Sequence, residues 1–258
     1  KYCLYGSPDK YCLYGSPDKY CLYGSPDKYC LYGSPDNYCL YKRRQIDRVL
    51  GSLENSLADF FATDFVQKTL MGAEMTEQIK QIARKYCKKD KDLFLTRFEL
   101  LKSIHNVLTD ANHRTIVDQF IKSVGPQAAK MYDKFEQQLG GIGEELRLQP
   151  MDEHSIDYKL LIYREMKRGS LLRLLVTLAV KKWSDIRLAE YLIGQPRYRP
   201  NIMATNLLHM NVDLKQVMTV CKSIIDANGV NVSAAEEAEL IQLAKEVFAI
   251  NSKFYQHV

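Results

Sequence analysis

The chain has 258 residues, 46% hydrophobic and 26% charged, with a net charge of +5. That balance excludes a chain too polar to bury a core, and an excess this mild permits contact with nucleic acid or an acidic membrane without calling for it. The apolar run around 171–180 is interrupted by Arg173 and Thr177 and falls short of the ~20 residues of a membrane span.

Residues 1–36 are four identical copies of Lys-Tyr-Cys-Leu-Tyr-Gly-Ser-Pro-Asp, and Asn37–Tyr41 is half of a fifth. Units in a packed core meet different neighbours and drift apart, so perfect identity points away from a core. Each Tyr-Cys-Leu-Tyr segment tolerates a strand, Ser-Pro-Asp suits a turn, and a Pro every nine residues forbids a long helix. The tract is therefore expected to be disordered or weakly β-like. Ser7, Ser16, Ser25 and Ser34 each precede Pro and are candidate phosphosites, although Ser-Pro is also plain turn chemistry. The array carries one Lys and one Asp per copy, so the whole charge excess belongs to 42–258. Its cysteines recur at a spacing that fits no zinc pattern, and no His accompanies them.

From Lys42 onward the pattern is helical. Ile46, Leu50, Leu53, Leu57, Phe60 and Phe61 share one helix face, and Thr63-Asp64 offers a new start before Phe65 and Val66. A helix is expected over 74–87. The charged run Lys88-Lys89-Asp90-Lys91-Asp92 then separates it from a further helix carrying Leu93, Phe98, Leu101 and Ile104. Two more are expected near 114–124, stopping at Gly125-Pro126, and over 127–139, stopping at Gly140-Gly141. Residues 140–155 form the one long break and a possible sub-boundary between domains. Helical pattern resumes at Ile156–Lys167, Ser170–Lys182, Asp185–Ile193, Pro200–His209, Leu214–Asn228 and Ala234–Phe254. Ser233 and Glu236 fit a capping box.

The organisation expected is a repeat tract over 1–41 and an all-helical domain over 42–258, the latter an irregular α-solenoid or a multi-helix bundle. No 34-residue or ~40-residue repeat signature accompanies it.

Chemistry-bearing constellations are scarce. The five His form no His-x-x-x-His pair, and His154 beside Asp152-Glu153 reads as a polar loop. Gly140-Gly141-Ile142-Gly143 follows a helix end and no strand, which argues against a phosphate loop. Cys87 lies among cations that would activate an exposed thiol, but no partner His is identifiable. Two basic segments remain. Arg84, Lys85, Lys88, Lys89 and Lys91 gather at an expected helix C-terminus, and Arg197-Tyr198-Arg199 lies between Pro196 and Pro200. Both are candidate contacts for a partner or a nucleic acid, while Trp183 reads as core. The function expected is a non-enzymatic scaffold presenting a helical groove to a protein or peptide. The alternative is an RNA-binding or nucleoprotein-type helical domain. No cofactor and no metal are expected, and two isolated thiols suggest an intracellular, cytoplasmic protein.

Overall fold

The computed structural model describes residues 2–4, 20–22, 45–72, 74–196, 198–228 and 232–256. Within the repeat tract, β1 (Tyr2–Leu4) and β2 (Tyr20–Leu22) pair in parallel, with Tyr2 opposite Tyr20 and Leu4 opposite Leu22. These are equivalent positions of the first and third copies. The rest of the tract, with Ser7, Ser16, Ser25 and Ser34, lies outside the described residues.

From Gln45 every described element is helical. The apolar stripe that begins at Ile46 forms two short helices, α1 (Gln45–Gly51) and α2 (Glu54–Phe61), followed by a π-helical turn over Phe65–Leu70. The charged run 88–92 does not end a helix. It lies inside α3 (Glu77–Val107), a single helix of 31 residues. Each charge there has an opposite partner: Lys88 with Asp92 at 2.6 Å, Lys89 with Asp152 at 3.2 Å, Lys91 with Glu136 at 2.6 Å, and Asp90 with Arg97 at 2.7 Å. Neutralisation removes the repulsion that would favour a break.

Pro126 likewise sits inside a helix, α4 (Ala111–Gln138). The lost backbone bond is tolerated because Tyr132, Phe135 and Leu139 downstream are buried. Gly140 and Gly141 then turn the chain at φ 72° and 87°, values that disfavour any side chain. The short α5 (Glu144–Leu148) follows, and Asp152 caps α6 (Glu153–Arg168), accepting from the backbone N–H of His154 and Ser155. Gly169 ends α6 in the left-handed region.

Two further expected interruptions are absent. α7 (Leu171–Ile193) runs through Ser184-Asp185, and α8 (Ile202–Asn228) runs through the Met210–Asp213 region. In α7 the cap-like residues point inward: Ser184 Oγ donates to the Lys181 carbonyl at 2.8 Å, and Asp185 receives the Lys181 ammonium. The capping box before α9 (Ala234–Gln256) forms as expected, with Ser233 and Glu236 exchanging bonds of 2.8–3.2 Å.

α7 lies at the centre, packed on α8, α9, α3 and α6, and α1 packs on α9 and α8. Contact between the first and last helices closes the array into a bundle, whereas the repeats of a solenoid touch only sequence neighbours. The solenoid expectation is corrected on this ground. Among the described residues no helix is long and apolar enough to cross a membrane.

Candidate active site

Where α3, α4, α6, α7 and α9 converge, the core is polar and aromatic rather than aliphatic. Tyr86, Asp90, Leu93, Arg97, Leu100 and Ile104 follow one another at helical spacing along the inner face of α3 and are all buried. Asp90 accepts from Arg97 at 2.7 Å and from the Tyr132 hydroxyl of α4 at 2.6 Å. Arg97 also donates to the Asp90 carbonyl at 2.5 Å. A second carboxylate, Asp185 of α7, receives Lys181 at 2.5 and 2.7 Å and the Tyr255 hydroxyl of α9 at 2.8 Å. Asn251, one turn before Tyr255, donates to Ser184 Oγ at 2.8 Å.

Tyr86 joins the two clusters. Its ring stacks near-parallel on Tyr255 at 5.9 Å and on Phe65 at 5.9 Å, and Phe254 meets its edge at 5.9 Å. Phe60 closes on Tyr255 at 5.3 Å. Aromatic pairs of this kind add roughly 0.5–1.5 kcal/mol each beyond their burial.

Enclosure decides the electrostatics. Burial alone would push the Asp90 carboxyl up, but the charges of Arg97 and Lys181 with the Tyr132 hydrogen bond outweigh it and hold Asp90 below the usual carboxylate range. Burial, reinforced by the two carboxylates, keeps the hydroxyls of Tyr86 and Tyr255 protonated far above their ordinary range. Burial also pushes the Lys182 ammonium down to about 8; Asp185 pulls it back up, while Arg97 and Lys181 push it further down. The centre therefore holds an ionised carboxylate at Asp90 and neutral phenols at Tyr86 and Tyr255 within one desolvated core.

The thiols are not part of this chemistry. Cys87 and Cys221 are both buried, and burial pushes each to about 12, so neither is a thiolate at neutral pH. Among the described residues no group of His, Cys, Asp and Glu could hold a metal ion.

Within the basic segment 84–91, Tyr86 and Asp90 belong to this centre, and the cations other than Lys85 are engaged inside the molecule. Arg84 donates to the carbonyls of Leu139 and Gly141 and pairs with Glu77, fastening the glycine turn after α4. Lys89 lies 5.3 Å over the Phe254 ring, Lys88 and Lys91 hold the pairs given above, and Lys85 is exposed. Arg197 lies outside the described residues. Tyr198 packs against the core with its hydroxyl buried and unpartnered, and Arg199 donates to the Tyr198 carbonyl at 3.0 Å. Trp183 is core, 9% exposed, and meets Phe248 edge-on.

An open groove of about 480 Å³ between α6, α7 and α9 is lined by Arg164, Arg168, Arg173, Glu239 and Glu246. Arg164 pairs with Glu246, and Arg173 with Glu239 and the enclosed Glu165, so its charges are paired among themselves. The groove holds helices together and carries no candidate chemistry.

No family pattern matches the sequence, and no curated protein matches it. Solved structures do match. A TenA homologue from Pyrococcus furiosus superposes with a TM-score of 0.70 at 12% identity, over 82% of this chain and 98% of its own. The TM-score is 0.68 at 15% identity for a TenA homologue from P. horikoshii OT3, over 83% and 97% of the two chains. It is 0.68 at 12% identity for a TenA family transcription regulator from Silicibacter sp. TM1040, over 82% and 95%. The fold is TenA-like. Nearly the whole of each relative is spanned, so the likeness covers a complete bundle rather than a shared helical hairpin. It overturns the expectations of a scaffold with a peptide groove, of an RNA-binding helical domain, and of a non-enzyme. Those expectations rested on the absence of sequence motifs, and this bundle assembles its polar centre from helices far apart in the chain.

Proposed function

We propose that this chain is an enzyme of the TenA type, a hydrolase of aminopyrimidines of the thiamin-salvage kind. The observation that carries the reading is the enclosed pair of carboxylate clusters around Tyr86 in the middle of a TenA-like bundle. A core made only for stability gains little from buried ion pairs, which apolar residues of similar volume often match or exceed. Groups with strongly shifted protonation gathered in one place mark functional sites.

The chemistry suits the residues. The stacked rings of Phe65, Tyr86 and Tyr255 suit a flat heteroaromatic ring, and the neutral Tyr86 phenol, unlike those of Tyr132 and Tyr255, is not committed to a carboxylate and is the donor for a ring nitrogen. Hydrolysis of an amino group needs a proton taken from water and one returned to the departing amine. In this reading Asp185, which accepts from Lys181 and Tyr255, carries that proton, and Asp90 with Arg97 and Tyr132 forms the second charged cluster beside it.

Incubating the full chain with a panel of aminopyrimidines and following ammonia and the hydroxypyrimidine product by mass spectrometry tests this. Turnover is expected, reduced about 10²–10⁴-fold by Asp185→Asn with helical content unchanged. Absence of both turnover and calorimetrically detectable binding across the panel sinks the proposal.

A further inference from the structure

Outside that centre, where the first turn of α4 meets α8, three side chains stand in a row. His113 Nε2 lies 3.5 Å from Ser223 Oγ, and His113 Nδ1 lies 3.5 Å from Asp110 Oδ1. Asp110 is the N-cap of α4, and the same oxygen accepts the His113 backbone N–H at 2.8 Å, which fixes the carboxylate beside the ring. The imidazole is only 17% exposed and its Nδ1 is buried, whereas Ser223 is exposed. A shielded base therefore faces a hydroxyl that solvent can reach.

We propose that Asp110, His113 and Ser223 form an acyl-transfer site that takes small carboxylic esters, separate from the central cluster and not resting on its function. Carboxylate, imidazole and hydroxyl occur in the order that nucleophile activation requires. Asp110 Oδ1 lies 3.5 Å from an Nδ1 that has no hydrogen-bond partner, so the carboxylate is the group that takes up the Nδ1 proton when the site closes, leaving Nε2 to accept from Ser223 Oγ. Both separations are long, as such contacts often are before a substrate draws them together.

The steps balance without any other reagent. Ser223 Oγ bonds to the ester carbonyl carbon while its proton moves to His113 Nε2. The carbon–oxygen bond to the alcohol breaks, and the alcohol leaves with that proton. Water then gives a proton to Nε2 and its oxygen to the acyl carbon, the acid departs, and the proton returns to Oγ. The first-turn amides of α4 lie on the same turn as His113, at the positive end of a 28-residue helix, which favours charge developing on the carbonyl oxygen. Exposure of Ser223 sets the substrate class: a small ester approached from solvent, without narrow selection of its acyl group.

The full chain is treated with a fluorophosphonate probe and the adduct mapped by mass spectrometry, alongside hydrolysis of p-nitrophenyl acetate. One adduct is expected, on Ser223, and Ser223→Ala should remove both it and about 10³-fold of the esterase rate. Asp110→Asn separates orientation from capping, since Asn caps a helix as well as Asp does. It should leave the melting temperature near the parent value and still lower the rate at least about 10-fold. An unmodified Ser223, or a rate that survives Ser223→Ala, shows a packing contact only and overturns the proposal.

Discussion

Asp90 is enclosed on every side and still ionised, because Arg97, Tyr132 and the nearby Lys181 replace the water it lost. Removing one member leaves the other charge stranded. Arg97→Met is expected to cost about 3–5 kcal/mol in urea unfolding, well above the loss from an exposed pair. The pH dependence follows from the direction of the Asp90 shift. Its folded pKa lies below the unfolded one, so the stabilisation is complete above about pH 4 and is lost as pH falls through the folded value. Asp90→Asn should therefore differ from the parent most at neutral pH, and the gap should close in acid. Lys182 works in the other direction. With its folded pKa near 8 and its unfolded pKa near 10.4, its contribution is favourable only at high pH and is lost as pH falls through 8. Lys182→Met should raise the melting temperature at pH 7, and the gain should vanish toward pH 10.

The elements owe their length to partners outside themselves. Read alone, α3 breaks at its charged run, α4 at Pro126 and α7 at Ser184-Asp185, because these residues disfavour a helix interior. In α3 and α7 the break is removed by contacts from elsewhere, Asp152 on Lys89, Glu136 on Lys91 and Tyr255 on Asp185, and in α4 by the burial of Tyr132, Phe135 and Leu139 beyond the proline. Local signals unopposed by tertiary contacts were legible, as in the capping box at Ser233 and Glu236 and the glycine stop at Gly140-Gly141. Asp152 shows both influences, since it caps α6 and holds Lys89 of α3. Asp152→Ala is expected to cost about 1–2 kcal/mol by chemical denaturation. Asp152→Asn keeps the cap and should recover most of that loss.

At the scale of the whole molecule the fold is a closed set of long-range contacts, with the start of the described domain held against its end. Arg48 of α1 pairs with Glu237 of α9 at 2.6 Å, Lys222 of α8 with Asp47 at 3.0 Å, and Phe60 packs on Tyr255. A chain beginning at residue 42 should keep the parent's thermal transition and helical circular dichroism. A chain ending before α9 should lose the cooperative transition, because Leu240, Val247, Phe254 and Tyr255 line the core.

By itself the sequence determined an all-helical domain after the repeat tract, most of the buried stripes, and the caps, because periodicity and end chemistry are properties of neighbouring residues. Tertiary structure alone decided that the helices close into a TenA-like bundle, that Arg84, Lys88, Lys89 and Lys91 are held in internal pairs, and that Tyr86, Asp90, Arg97, Lys181, Asp185 and Tyr255 meet. One sign of that meeting was legible: charged residues standing on otherwise apolar faces, Asp90 and Arg97 on α3, Lys181 and Asp185 on α7. What each of them faces depends on helices up to 165 positions away, and no local pattern encodes that distance.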